Sequence, residues 1–174
     1  MTTTKVPNMS NWRTNHGDYL LEIARSVAIT YERFRWIPDH EAGGLIASIR
    51  QAFGTSAPWW REPVRDLPIW AKHLPESESY KLISKIVPVV RETVWFLAMH
   101  YGESPLLFEG IPEAIEQLLG ETHLFEYAVV SKQLDWLIGE EDHSTFVVVG
   151  QKVIDRLHAV SEGNVRSSLT PPIP

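Results

Sequence analysis

At 174 residues, 44% of them apolar and 22% charged, the chain suits one globular domain burying roughly 70% of its unfolded surface, and it is too apolar for a disordered protein. It contains no cysteine, which removes disulfides, zinc-thiolate sites, iron–sulfur clusters and thiol nucleophiles together. The net charge of −6, with scattered basic residues, argues against a nucleic-acid binder and is compatible with a basic protein partner.

Residues 1–16 are polar, and a loose N-terminus is expected there. Lys5 is followed by no apolar run, so the segment does not read as a secretory signal, and no apolar stretch approaches the ~20 residues of a membrane span. The expectation is a cytoplasmic protein with no membrane contact. From Asp18, a reasonable N-cap, Leu20, Ala24, Val27, Tyr31 and Phe34 recur at helical spacing, and Pro38 marks a stop beyond Trp36. A second helix is predicted from Glu41 to Phe53 through Leu45, Ile46 and Ile49, weakened at its start by Gly43 and Gly44.

Residues 54–75 hold Pro58, Pro63, Pro68 and Pro75 with Trp59, Trp60 and Trp70, which predicts an irregular but apolar wrapping segment. Ser77 or Ser79 then caps a short helix with Leu82, Ile83, Ile86 and Val87 inward, ended by Pro88. After Pro88 the periodicity changes. Val94 to Met99 is apolar on both faces, as in a central strand, and Leu106-Leu107-Phe108 suggests a short one. Gly110-Ile111-Pro112 opens a helix with Glu113 and Glu116 near its positive end, Ile115, Leu118 and Leu119 as its buried stripe, and Gly120 closing it.

Phe125 to Val130 alternates as a strand, with Tyr127 and Val129 on one face and Glu126, Ala128 and Val130 on the other. Ser131 to Leu134 is short enough for a hairpin, Asp135 to Gly139 returns, and Thr145 to Val149 adds a third antiparallel strand. A closing helix follows Gly150, with Val153, Ile154, Leu157 and Val160 inward. The fold class is α+β: N-terminal helices, a mainly antiparallel β-meander with one inserted helix, and a C-terminal helix. The expected organisation is a single domain over 17–162, helical and Trp/Pro-rich over 17–88 and sheet over 89–162, with a flexible tail over 163–174.

The candidate chemistry lies at Glu126, Glu140, Glu141, Asp142 and His143. Carboxylates beside a histidine can hold a cation or pair an acid with a base. Four consecutive residues splay their side chains, however, so a solvated turn whose charges guard the strand edges is the simpler reading, and no metal is expected. Glu126 stands in an otherwise apolar strand pattern and must face solvent, pair with Lys132, or shift its pKa upward. Tyr127 and Trp136 suit a recognition surface, and adjacent Trp59 and Trp60 cannot easily both point inward. There is no Gly-x-Ser-x-Gly elbow, phosphate loop or dinucleotide fingerprint, so no cofactor is expected.

The block Phe125-Glu126-Tyr127, Val130-Ser131-Lys132, Trp136-Leu137, Glu140, His143 and Val149-Gly150 resembles a small, functionally uncharacterised bacterial family. Its layout is similar to that of immunity-type proteins, the antidotes that bind and block toxins. The resemblance covers mainly residues 92–157, supplies no catalytic residues, and implies a non-enzymatic protein-binding module. In that reading Glu140, Glu141 and Asp142 face cationic groups on the partner. The alternative is a small enzyme using Glu126 or His143 as acid or base in a cleft between sheet and helices.

Overall fold

The computed structural model describes residues 12–54, 66–74, 79–88, 92–99, 104–122, 125–141 and 145–168, with the backbone alone for 12–14 and 162–168. The elements are α1 (Trp12–Ser26), β1 (Phe34–Trp36), α2 (Asp39–Phe53), β2 (Ile69–His73), a 3₁₀ turn (Tyr80–Leu82) running into α3 (Ile83–Ile86), β3 (Val94–Ala98), β4 (Leu106–Gly110), α4 (Pro112–Glu121), β5 (Tyr127–Val130), β6 (Leu137–Glu140), β7 (Thr145–Val149) and α5 (Gln151–Ser168). The strands form one seven-stranded sheet in the order β1-β4-β3-β5-β6-β7-β2, with every pairing antiparallel. The expected α+β class and the β5–β6–β7 meander are both present.

Strand alternation divides the core into two layers. Phe34, Phe96, Phe108, Val129, Ile138, Phe146 and Val148 point to one face, which packs against α1, α3, α4 and α5. Leu97, Leu107, Ala128, Val130, Leu137 and Val147 point to the other, which packs against Ile46, Ile49 and Phe53 of α2. This double burial is why β3 through β7 read as nearly continuous apolar runs. Gly43 and Gly44 lie on the solvent side of α2, where a Cβ would meet nothing, so they leave the helix's packing face intact.

Several boundaries depart from the sequence reading. Helix α1 begins at Trp12, so Asp18 lies inside it, and His16 packs edge-on against Phe125 at a ring distance of 5.1 Å. It ends at Ser26 instead of reaching Phe34. There Ile29 N–H donates to Ala24 O and Ala28 N–H to Arg25 O, a closing motif that puts Ala28 at φ 58. That position usually calls for glycine, so the stop carries no sequence signal, and Phe34 is free to enter β1. Gly120 sits within α4, whose cap is Thr122. Within the proline-rich stretch, Ile69 to His73 is strand β2 at the sheet's edge. Helix α5 runs on to Ser168, past the point where a tail was expected.

Gly17 and Gly150 hold the packing at close range. Gly17 in α1 admits the Trp36 ring, which an added Cβ would meet at 2.7 Å. Gly150 turns the chain from β7 into α5 at φ +105, where a Cβ would lie 2.6 Å from the Asp135 carbonyl.

Candidate functional site

The register brings polar groups together in three places. One rung of the α2 face runs Arg35, Glu109, Trp95, Val130, Leu137, Val149, Ile69 across the whole sheet. Glu109 is the hub at its β1 end, 8% exposed in an otherwise apolar strand. The Arg35 guanidinium donates through Nε at 2.7 Å and through Nη2 to Glu109 Oε2, while Thr93 Oγ1 (2.6 Å) and the Lys132 ammonium donate to Oε1. Lys132 arrives from the β5–β6 hairpin by crossing the Trp95 ring, 4.9 Å from its centroid. Burial pushes the Glu109 pKa up, but hydrogen bonds from Lys132, Thr93 and Arg35 outweigh it and bring the value down to about 2. A carboxylate so held is permanently charged and a poor proton acceptor near neutral pH.

The second place is on the opposite face. Tyr127 lies directly across from Glu140, and Glu140 from Phe146. Glu140 is only 4% exposed, and Ser79 Oγ donates to its Oε2 at 2.6 Å. Ser79 makes no capping bond to the 3₁₀ turn, so its hydroxyl serves the carboxylate instead. Burial, and then the Glu140 charge, raise the Tyr127 pKa well above its ordinary value. Glu116 of α4 contributes a further negative charge nearby and accepts the Ser84 N–H at 3.0 Å.

These placements correct the picture of a wet acidic turn. Glu140 faces the core because it pairs between two inward aromatic residues, and Glu141, 6% exposed, is drawn in where its N–H closes onto Thr145 O. Neither carboxylate is displayed for contact. Tyr127 and Trp136 are also buried, with Trp136 pinned by the hairpin bond from Ser131 N–H to Trp136 O, so neither forms a recognition surface. Glu126 is half-buried just before β5, its carbonyl accepting from Met99 N–H, and Lys132 pairs with Glu109. Asp142, His143, Trp59 and Trp60 lie outside the described residues. Among the described residues, no group of three His, Asp or Glu side chains could hold a metal ion, and no helix is long and apolar enough to cross a membrane.

The third place is β2, which pairs with β7 on one side; no described strand pairs with its outer side. The Gly150 N–H donates to Pro68 O at 2.9 Å, which fixes the bonded pairs of this ladder. Bonded and non-bonded pairs alternate in antiparallel pairing. Trp70 and Lys72 therefore turn their backbone groups to β7, while Ile69, Ala71 and His73 turn theirs outward. Ile69 is 42% exposed, the one large aliphatic side chain so exposed among the described residues.

Sequence reasoning passed over Glu109, Arg35 and β2. A lone carboxylate in Leu-Leu-Phe-Glu-Gly was the available signal for Glu109, the same signal that singled out Glu126. The chain matches the family of unknown function DUF6756 over residues 17–161, and it belongs to that family. No curated protein and no solved structure matches it.

Proposed function

We propose that this member of the DUF6756 family is a non-enzymatic protein-binding module that takes its partner along strand β2. The observation that carries this reading is the outward-turned backbone of Ile69, Ala71 and His73, flanked by an exposed isoleucine. A strand edge with free amides and carbonyls is a template for a strand from another chain, and its main-chain bonds supply affinity while alternate side chains supply selectivity. The net charge of −6 favours a basic partner, and inhibition of a cationic toxin in the manner of an immunity protein is the specific form of the proposal. The buried Glu140 and Glu141 shift that role away from the β6–β7 turn.

The test uses Ala71→Pro. Proline removes one outward N–H and leaves the β7 ladder intact, because residue 71 does not bond to β7, and edge strands tolerate proline at such positions. A tagged wild-type chain should retain its partner through purification from the native host, while Ala71→Pro releases it with its thermal unfolding midpoint within a few degrees of wild type. Equal retention by both chains would remove β2 from the interface.

A further inference from the structure

We propose that β2 is also a self-pairing strand: two copies of this chain join antiparallel about a two-fold axis at Ala71, merging two seven-stranded sheets into one. The inference rests on the reading of β2 as an open edge, and it names a second copy as an occupant of that edge.

Backbone parity supports it first. Ile69, Ala71 and His73 turn their N–H and C=O groups outward. An axis at Ala71 sets Ala71 opposite its own copy and Ile69 opposite the second copy's His73. All three outward residues then fall in bonded pairs, so every outward group in the strand finds a partner. An axis at Lys72 would set that lysine opposite its own copy, and an axis at Trp70 or Ile69 would leave the His73 end of the five-residue strand opposite residues outside β2. The Ala71 axis uses the whole strand.

Side-chain complementarity supports it independently. On the face packed by α1, α3, α4 and α5, the same axis places Lys72 directly opposite the second copy's Trp70, and does so twice. Lysine over an indole is favourable, and the fold already contains one such contact, Lys132 of the β5–β6 hairpin over Trp95. On the α2 face, Ile69 meets the second copy's His73 around a small Ala71 centre, which covers the exposed isoleucine. No like charges face each other in this register. At the opposite edge, β1 is three residues long and offers no comparable ladder.

Self-pairing and capture of another protein compete for one strip, so the dimer is a protected resting form of the edge. Edges left open invite unselective pairing, and occupation by a second copy suppresses it.

The chain has no cysteine, which permits a register-specific test on the full protein. In sedimentation equilibrium the mean mass should climb toward twice the monomer as concentration rises, and Ala71→Pro should abolish the climb. Under mild oxidation Ala71→Cys should cross-link to itself, since a bonded antiparallel pair holds its Cα atoms about 5.5 Å apart, within disulfide range. Ile69→Cys alone should not cross-link, whereas Ile69→Cys mixed with His73→Cys should. Cross-linking of Ile69→Cys to itself as readily as Ala71→Cys would overturn the register. A monomer at all concentrations would overturn self-pairing. Amide exchange at Ala71 and His73 in that monomer then separates the two ideas: fast exchange leaves the open edge standing, and protection overturns that as well.

Discussion

Replacing Glu109 with glutamine tests whether the Arg35–Glu109–Lys132 hub stabilises the β1 end of the sheet. The change keeps side-chain volume and removes the charge, leaving two cations facing an amide. The gap between the ordinary value of 4.5 and a folded pKa of about 2 corresponds to a ceiling of about 3 kcal/mol at neutral pH. The partners sit partly in solvent, with the Arg35 and Lys132 side chains 42% and 34% exposed, so screening lowers the expected loss to about 1–2 kcal/mol. The sign follows from linkage. Because the folded pKa is depressed, the contribution is complete above the unfolded value near 4.5 and disappears as pH falls toward 2. Urea unfolding of wild type and Glu109→Gln across pH 7 to 2 should show the two curves separated at pH 7 and converging in acid. A separation below about 0.3 kcal/mol at pH 7, or one unchanged down to pH 2, would refute the reasoning.

Ser79→Ala should cost about 1–3 kcal/mol by chemical denaturation, since it removes a hydroxyl donor from a carboxylate within the core. Gly150→Ala should cost more than about 1 kcal/mol in the same assay, because it combines a positive φ with a 2.6 Å approach to the Asp135 carbonyl. Ala28→Gly should raise stability by about 0.5–1 kcal/mol, since glycine occupies the left-handed closing position of α1 without the Cβ penalty; a loss on this substitution would show that the cap is not strained. Trp136→Ala should cost about 3–5 kcal/mol through cavity formation, seen as a lowered unfolding midpoint.

The parts of the fold legible in the sequence were those where one residue pattern answers to one local cause. Pro112 near the start of α4, the alternation of Tyr127 to Val130 and the inward stripe of α5 all follow from spacing alone. The misread points turn on residues doing work their type does not advertise. Ala28 and Leu134 take positive φ in place of glycine or asparagine, so α1 had no visible stop. Ile69 to His73 shows little hydrophobic contrast as an edge strand, and neighbouring prolines masked it. Glu140 looked like a turn residue because Glu141 and Asp142 follow it, yet strand parity turns it toward Phe146 and Ser79. Composition records that a carboxylate is present; only register decides which face receives it.

That dependence on register also bears on where function can reside. Strands β3 to β7 are covered on both faces, so polar side chains within them turn to internal partners, Glu109 to Arg35, Thr93 and Lys132 and Glu140 to Ser79. Each such pairing fixes the fold and withdraws the group from outside contact. Among the described residues, exposed groups lie on helix surfaces, in the turn at Tyr31 and at the two sheet edges. Of the edges, β1 is short and its central Arg35 is tied into the Glu109 hub, whereas β2 keeps a five-residue ladder with three outward residues. With Glu109, Glu140 and Glu141 buried, β2 is the longer backbone template of the two edges, and the proposed binding role, argued from main-chain geometry, does not require those carboxylates to be displayed.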